Sequence, residues 1–289
     1  MGENCTHILS ELPLCYPAGR EDFLLKTGIS TACLYPMETE QALALLLSLG
    51  YRRFEVFLNA FEELEKPFLR ELKRRAEEYG ASFCSVHPFT SPMESLLLFG
   101  EYSRRTEEGF RLYGRYAEAA AYLGGKYVVL HGQRQGAGPL SEEAYWERFG
   151  QLTRFLASSG ARPAQENVRD HRSSDPDFIK GMREYLQEDC AFVLDVKQCV
   201  QSGCTPKEMA EAMGNRLAHV HLSDHKPGAP CLLPGAGAFD FSSFRKTLEG
   251  ISYQETIVTE VYRRNFSQPE ELEAARLMVE SCFSDDFFS

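Results

Sequence analysis

Short apolar runs alternate with segments of helical spacing along almost the whole chain. Eight runs read as strands: 27–33 (TGISTAC), 53–57 (RFEVF), 82–87 (SFCSVH), 127–131 (YVVLH), 162–166 (RPAQE), 192–195 (FVLD), 217–222 (LAHVHL) and 255–260 (ETIVTE). Each is brief and mostly apolar in its middle, the pattern of strands buried on both faces of a parallel sheet. Helical spacing fills 38–49, 67–79, 106–123, 144–159, 175–186, 206–213, 241–248 and 269–282. Several of these carry end signals: Ser141 ahead of Glu142 and Glu143, Pro206 after Thr205, and Gly50, Gly80, Gly124 and Gly160 just past the last periodic residue. Strict strand–helix alternation predicts an α/β fold, a (β/α)8 TIM barrel, as one domain over 25–289. A doubly wound sheet would want a GxGxxG turn after the first strand, where Leu34–Tyr35–Pro36 stands instead. Residues 1–24 have no clear period and read as a short N-terminal extension.

Composition narrows the partners. With 289 residues, 43% hydrophobic and 25% charged, the chain can bury a large core without disulfides or a structural metal. Lys and Arg number 31 against 42 Asp and Glu, a net charge of −11 that disfavours a nucleic-acid partner. No apolar run approaches the ~18 residues of a membrane span, so no membrane partner is expected. The first residues lack the basic stretch and apolar core of a secretion signal. Nine scattered Cys without a CxxC read as reduced thiols and a cytoplasmic location. Phe61, Phe283, Phe287 and Phe288 are candidate homo-oligomer contacts, and Trp146 is expected in packing or a subunit contact.

The chemistry lies where the strands end, since barrels of this class place their sites at the C-terminal rim. The third to eighth predicted strands finish on, or for His221 one residue short of, a polar group: His87, His131, Glu166, Asp195, His221 and Glu260. Imidazoles and carboxylates converging on one rim are costly to desolvate unless a cation sits between them. One divalent ion resolves this, and the donor set suits Mn²⁺, Co²⁺, Zn²⁺ or Mg²⁺. Glu166, Asp195, His221 and Glu260 are the candidate ligands. His87 and His131 read either as substrate contacts or as hydrogen-bonded structural residues. His219 shares a face with His221 and is expected one layer deeper. Phe57, Phe89 and Tyr262 lie near strand ends and read as barrel-to-helix packing or as a stacking wall of the site.

The motifs GISTACLYP (28–36), YRRFEVFLN (51–59), SVHPF (85–89), VVLHG (128–132), QENV (165–168), FVLDVKQ (192–198), HVHLSD (219–224), PGAGAFDF (234–241) and VTEVYR (258–263) together resemble the sugar phosphate isomerase/epimerase superfamily, the barrels related to xylose isomerase and endonuclease IV. The likeness runs from about Lys26 to the C-terminus. It implies a single divalent ion held by Glu166, Asp195, His221 and Glu260, the same four residues. It also implies an enzyme that acidifies a C–H beside a substrate carbonyl and stabilises the enediolate. Glu166 and Glu260 would then take and return the proton, giving epimerisation or aldose–ketose isomerisation of a small carbohydrate.

Two departures bear on the substrate. Gln198, preceded by Lys197, stands where the family usually has a His, and it can hydrogen-bond a hydroxyl but neither ligates in the same way nor titrates near neutrality. Lys197 alternates with Asp195 and is expected to point into the site, as an ion-pair partner or as an electrophile. Arg172, with Arg169 in the same loop, replaces a substrate-contacting Glu and suggests a phosphate or carboxylate on the sugar. An inosose dehydratase-type lyase, a non-catalytic sugar-binding protein and an endonuclease IV-like phosphodiesterase are the alternatives. The last would lack its third metal site, because Gln198, Pro230 and Leu232 stand at the ligand positions.

Overall fold

The computed structural model describes residues 25–138 and 140–283; the expected extension 1–24, and Phe287 and Phe288, lie outside them. Among the described residues, β1 (Lys26–Ser30), β2 (Arg53–Leu58), β3 (Ser82–Pro88), β4 (Tyr127–Leu130), β5 (Arg162–Glu166), β6 (Phe192–Asp195), β7 (Leu217–Leu222) and β10 (Thr256–Thr259) pair in parallel and close a barrel. Two more strands, β8 (Asp224–Lys226) and β9 (Ala229–Leu232), form an antiparallel hairpin on the rim after β7. The helices are α1 (Thr39–Ser48), α2 (Lys66–Glu78), α3 (Glu94–Leu97), α4 (Ser103–Leu123), α5 (Glu142–Leu156), α6 (Pro176–Leu186), α7 (Val196–Ser202), α8 (Pro206–Met213), α9 (Phe241–Gly250) and α10 (Glu270–Phe283). The expected TIM barrel is what forms.

Local chemistry sets several of these boundaries. Ser141 caps α5 by accepting the Ala144 N–H, and Thr205 and Glu208 exchange bonds in a capping box at α8. Gly124 and Gly203 end α4 and α7 in the left-handed conformation that glycine takes at no steric cost. The first strand stops earlier than its apolar run, because the Ser30 hydroxyl accepts the Ala32 N–H and turns 31–34 into a short 3-10 helix.

Outward-facing strand residues pack against the helices in the main core, which includes Phe54, Val56, Phe192, Leu194 and Val220. A separate small cluster, Val129, Ala164, Ala191, Val193 and Ala218, fills the barrel's interior with Tyr127 against it. Val129, Ala164 and Val193 stand two residues before His131, Glu166 and Asp195, so the same inward face carries an apolar plug below and polar groups above. Trp146 packs on Phe178 and Tyr185. Phe283, expected as an exposed oligomer contact, is instead fully buried against Phe241, because α10 closes the barrel over β1. Phe61 keeps 51% of its surface exposed. No helix among the described residues is long and apolar enough to cross a membrane.

Candidate functional site

The six polar strand ends meet as expected at the C-terminal rim. Glu166 closes β5, Asp195 closes β6, His221 sits in β7 and Glu260 follows β10, and one ligand atom from each lies within 4.8 Å of the others. His221 stands at their centre. Its Nδ1 is 3.4 Å from Glu166 Oε1, 3.4 Å from Glu260 Oε2 and 3.8 Å from Asp195 Oδ2. His87 and His131 join Glu166 in a second close group, with His131 Nε2 3.0 Å from Glu166 Oε2 and 3.1 Å from His87 Nε2.

A layer below, Glu55 from β2 holds these imidazoles. Its Oε2 lies 3.0 Å from His221 Nε2 and 3.2 Å from His219 Nε2, and accepts the Ser85 hydroxyl at 2.8 Å. His219 is therefore one layer deeper, and Glu55 is the residue that sequence reasoning missed. Its signal was present: a lone acid in the middle of the apolar run RFEVF, with no solvent face to occupy. Such a partner fixes the ring and its tautomer, leaving Nδ1 for the site above.

Asp195 does two jobs. Its Oδ1 accepts the Gln198 N–H as the cap of α7, and its Oδ2 receives the Lys197 ammonium. The helix begins at once after the strand, so Lys197 reaches inward from the first helical turn rather than by strand alternation. Its Nζ also bonds Glu260 Oε2 and sits 5.7 Å from the Tyr262 ring centre. Burial opposes the charge on Lys197, but Asp195, Glu260 and Glu166 outweigh it and hold the ammonium well above its ordinary pKa. Burial likewise opposes charge on His221, yet Glu55 and Glu260 raise it well above the usual imidazole range. The carboxyl of Asp195 is pushed up to about 8 by burial, despite Lys197. His219 is lowered by burial and stays neutral beside its charged neighbour.

Above this cluster opens a cavity of about 260 Å³, lined by Phe57, His87, Phe89, His131, Tyr262 and Lys197 together with Glu166, Gln198 and Glu260. That volume suits a small ligand rather than a polymer. Phe57 and Tyr262 thus do face the cavity. Gln198 lines it too, although its Oε1 is committed to the Arg169 N–H. Arg169 and Arg172 are not among the lining residues: Arg169 pairs with Asp170 in solvent, and Arg172 donates to the Leu140 carbonyl.

The donor set fits a divalent ion. Three carboxylates and one imidazole converge within 4.8 Å of one another with little solvent, a buried donor set of the kind a divalent cation takes, and Glu166 offers Oε1 to this group while its Oε2 faces His131 and His87.

Residues 43–282 match the model of a family described as the xylose isomerase-like TIM barrel. An uncharacterised protein of Mycobacterium leprae is 24% identical over 263 residues, 82% of this chain and 89% of its own length. An uncharacterised protein of Mycobacterium tuberculosis is 26% identical over 266 residues, with the same shares. Among solved structures, a zinc-bound IOLI protein superposes with a TM-score of 0.73 at 16% identity, covering 92% of this chain and all of that one. The 3-keto-D-glucoside 4-epimerase of E. coli gives 0.69 at 18% identity, over 89% of this chain and 98% of its own. D-psicose 3-epimerase of Clostridium cellulolyticum, solved with D-tagatose, gives 0.69 at 15%, over 91% and 98%.

Proposed function

The chain belongs to the xylose isomerase-like TIM-barrel family, and on that premise we propose that it is a divalent-metal-assisted isomerase or epimerase of a small sugar. The observation that carries this reading is the convergence of Glu166, Asp195, His221 and Glu260 on one point at the floor of a monosaccharide-sized cavity. These four would hold the ion. When bound, it supplies Lewis-acid polarisation of a substrate carbonyl, which acidifies the neighbouring C–H.

The chain's own groups do the rest. Glu166 and Glu260 both open onto the cavity and are held below the ordinary carboxylate range, so both are ionised at neutral pH and able to accept a proton. For each, burial works the other way and is outweighed, at Glu166 by His131 and at Glu260 by Lys197. One carboxylate removing the proton and the other returning one to the opposite face gives epimerisation; return to the adjacent carbon gives isomerisation. His87 and His131 present imidazole nitrogens to substrate oxygens, and Phe57, Phe89 and Tyr262 wall the cavity against water. With Arg169 and Arg172 outside the cavity, Lys197 is what supports an anionic group on the substrate.

The test is elemental analysis of untagged protein, then proton NMR of D-fructose, D-psicose and D-tagatose incubated with the loaded protein in D₂O. About one ion per chain and deuterium entering a carbon position are expected. Glu260→Gln should reduce that exchange by at least about 10²-fold with the fold intact. Absence of bound ion even in excess Mn²⁺ would sink the reading. Two ions per chain would favour a binuclear site, for which His87, His131 and Glu166 are the second donor group.

A further inference from the structure

The four candidate ligands already have a cation of the chain's own. Lys197 Nζ bonds Asp195 Oδ2 and Glu260 Oε2, the same two oxygens that face His221 Nδ1, at 3.8 and 3.4 Å. An ion held by the four donors would have to share Asp195 Oδ2 and Glu260 Oε2 with the ammonium, in a pocket where Lys197 is 5% exposed and water screens the two charges poorly. Two of the three ligand carboxylates, Asp195 and Glu260, cannot serve both cations at full strength. One has to withdraw.

The side chain has a way out. Lys197 sits on the first turn of α7, its stem is flexible, and its ammonium is already a cavity-lining group. The Tyr262 ring, on the cavity side at 5.7 Å from Nζ, offers a cation–π position. Among the described residues lining the cavity it is the only Lys or Arg, so no second ammonium or guanidinium competes for that place.

We propose that Lys197 is an exchangeable counter-cation: it neutralises Asp195 and Glu260 while the site lacks a metal, yields them to a divalent ion, and then presents its ammonium to the cavity as the substrate's cationic contact. This rests on the metal reading above and adds what sets the ion's affinity. In the metal-free protein the ammonium keeps buried carboxylates from standing unpaired, which would otherwise be strongly destabilising. On loading, the cost of expelling it weakens metal binding and couples it to the shape of the cavity.

Two measurements test this. Isothermal titration with Mn²⁺ compares the wild type with Lys197→Met, where an apolar stem of similar length replaces the ammonium. Tighter binding by at least tenfold in Lys197→Met is expected. Equal affinity would overturn the proposal and leave the metal site standing; binding by neither protein would remove both. The second measurement uses the wild type alone and holds even if Lys197→Met fails to fold. Acetylation by an N-hydroxysuccinimide ester, read by peptide mass spectrometry, should find Lys197 protected without metal. Its labelling should rise at least fivefold at saturating Mn²⁺, with the exposed Lys207 as the constant reference. If titration shows Mn²⁺ bound and Lys197 stays as protected as before, the displacement does not occur.

Discussion

Glu94 shows how a single buried acid can tie the stability of this fold to pH. It lies on the short helix α3 at 0% exposure, with its Oε1 taking the Tyr113 hydroxyl and its Oε2 taking the Gly132 N–H at 2.5 Å, directly beside His131. Burial pushes its pKa up to about 7, against the pull of His131. A carboxyl whose folded pKa is raised favours the fold fully below its unfolded pKa, near 4.3, and loses that contribution as pH climbs through about 7. At ~1.4 kcal/mol per pKa unit, the loss is on the order of 3 kcal/mol between pH 4 and 8. Glu94→Gln imitates the protonated acid, its amide donating to Tyr113 and its oxygen accepting Gly132. Urea unfolding of this variant should show a flatter dependence on pH than the wild type over that window. Parallel curves would mean that Glu94 does not titrate there. Neither Glu94 nor Glu55 was read as functional in the sequence: the acid inside RFEVF signals a buried carboxyl in need of a partner, but the residues that complete Glu55 and Glu94 lie far away in the chain. Glu55 needs His221, Glu94 needs Tyr113 and Gly132, and no local pattern announces a second layer. The rim residues were legible because each ends an apolar run, where a buried polar group demands a partner.

At the level of elements, eight barrel strands were readable from their apolar centres, while the pieces that shape the rim were not. Helix α7 is seven residues long and begins on the residue after β6 ends, with the last strand residue as its cap, so there is no room for helical periodicity to show. The hairpin β8–β9 is shorter still, and its Pro230 argues against a strand by propensity. What holds this rim is backbone chemistry: Asp224, the buried first residue of β8, accepts N–H bonds from His225, Gly235, Gly237 and Phe239 and so draws the glycine-bearing loop inward. The turn after β4 is the most constrained of these joins. Gly132 has φ +81°, and a Cβ there would stand 2.2 Å from Tyr145 Oη and 2.8 Å from Gln165 Oε1. Tyr145 and Gln165 are both buried and bonded to each other, so neither can step aside. Gly132→Ala is therefore expected to cost about 3 kcal/mol, the sum of a left-handed conformation and overpacking. Since Gly132 follows His131, the imidazole should move as well. Denaturant titration and the His131 ring resonances would check both effects, and a fully stable variant with an unshifted ring would contradict the strain.

For the whole molecule, the site is a place where stability is given up. A barrel of this size closes a complete core around itself, and the −11 net charge adds no demand for three buried acids at one point. Asp195 makes the conflict measurable. Its folded pKa of about 8 lies above that of an unfolded Asp, so its ionised form weakens the fold progressively from about pH 4 to pH 8. Asp195→Asn removes that weakness while keeping a side chain that can cap α7, because Asn caps helices about as well as Asp. In metal-free buffer at pH 8 the variant should unfold at a temperature at least about 2 °C above the wild type, as ~1 kcal/mol would produce in a domain of this size. The wild type should gain stability on adding Mn²⁺, since an ion that binds only the native state stabilises it by mass action, and the variant should gain much less. Crossing of the two orders is the decisive outcome: variant ahead without metal, wild type ahead with it. If Asp195→Asn is less stable in both conditions, Asp195 serves the fold through its ion pair with Lys197, and the cost assigned to its charge is wrong.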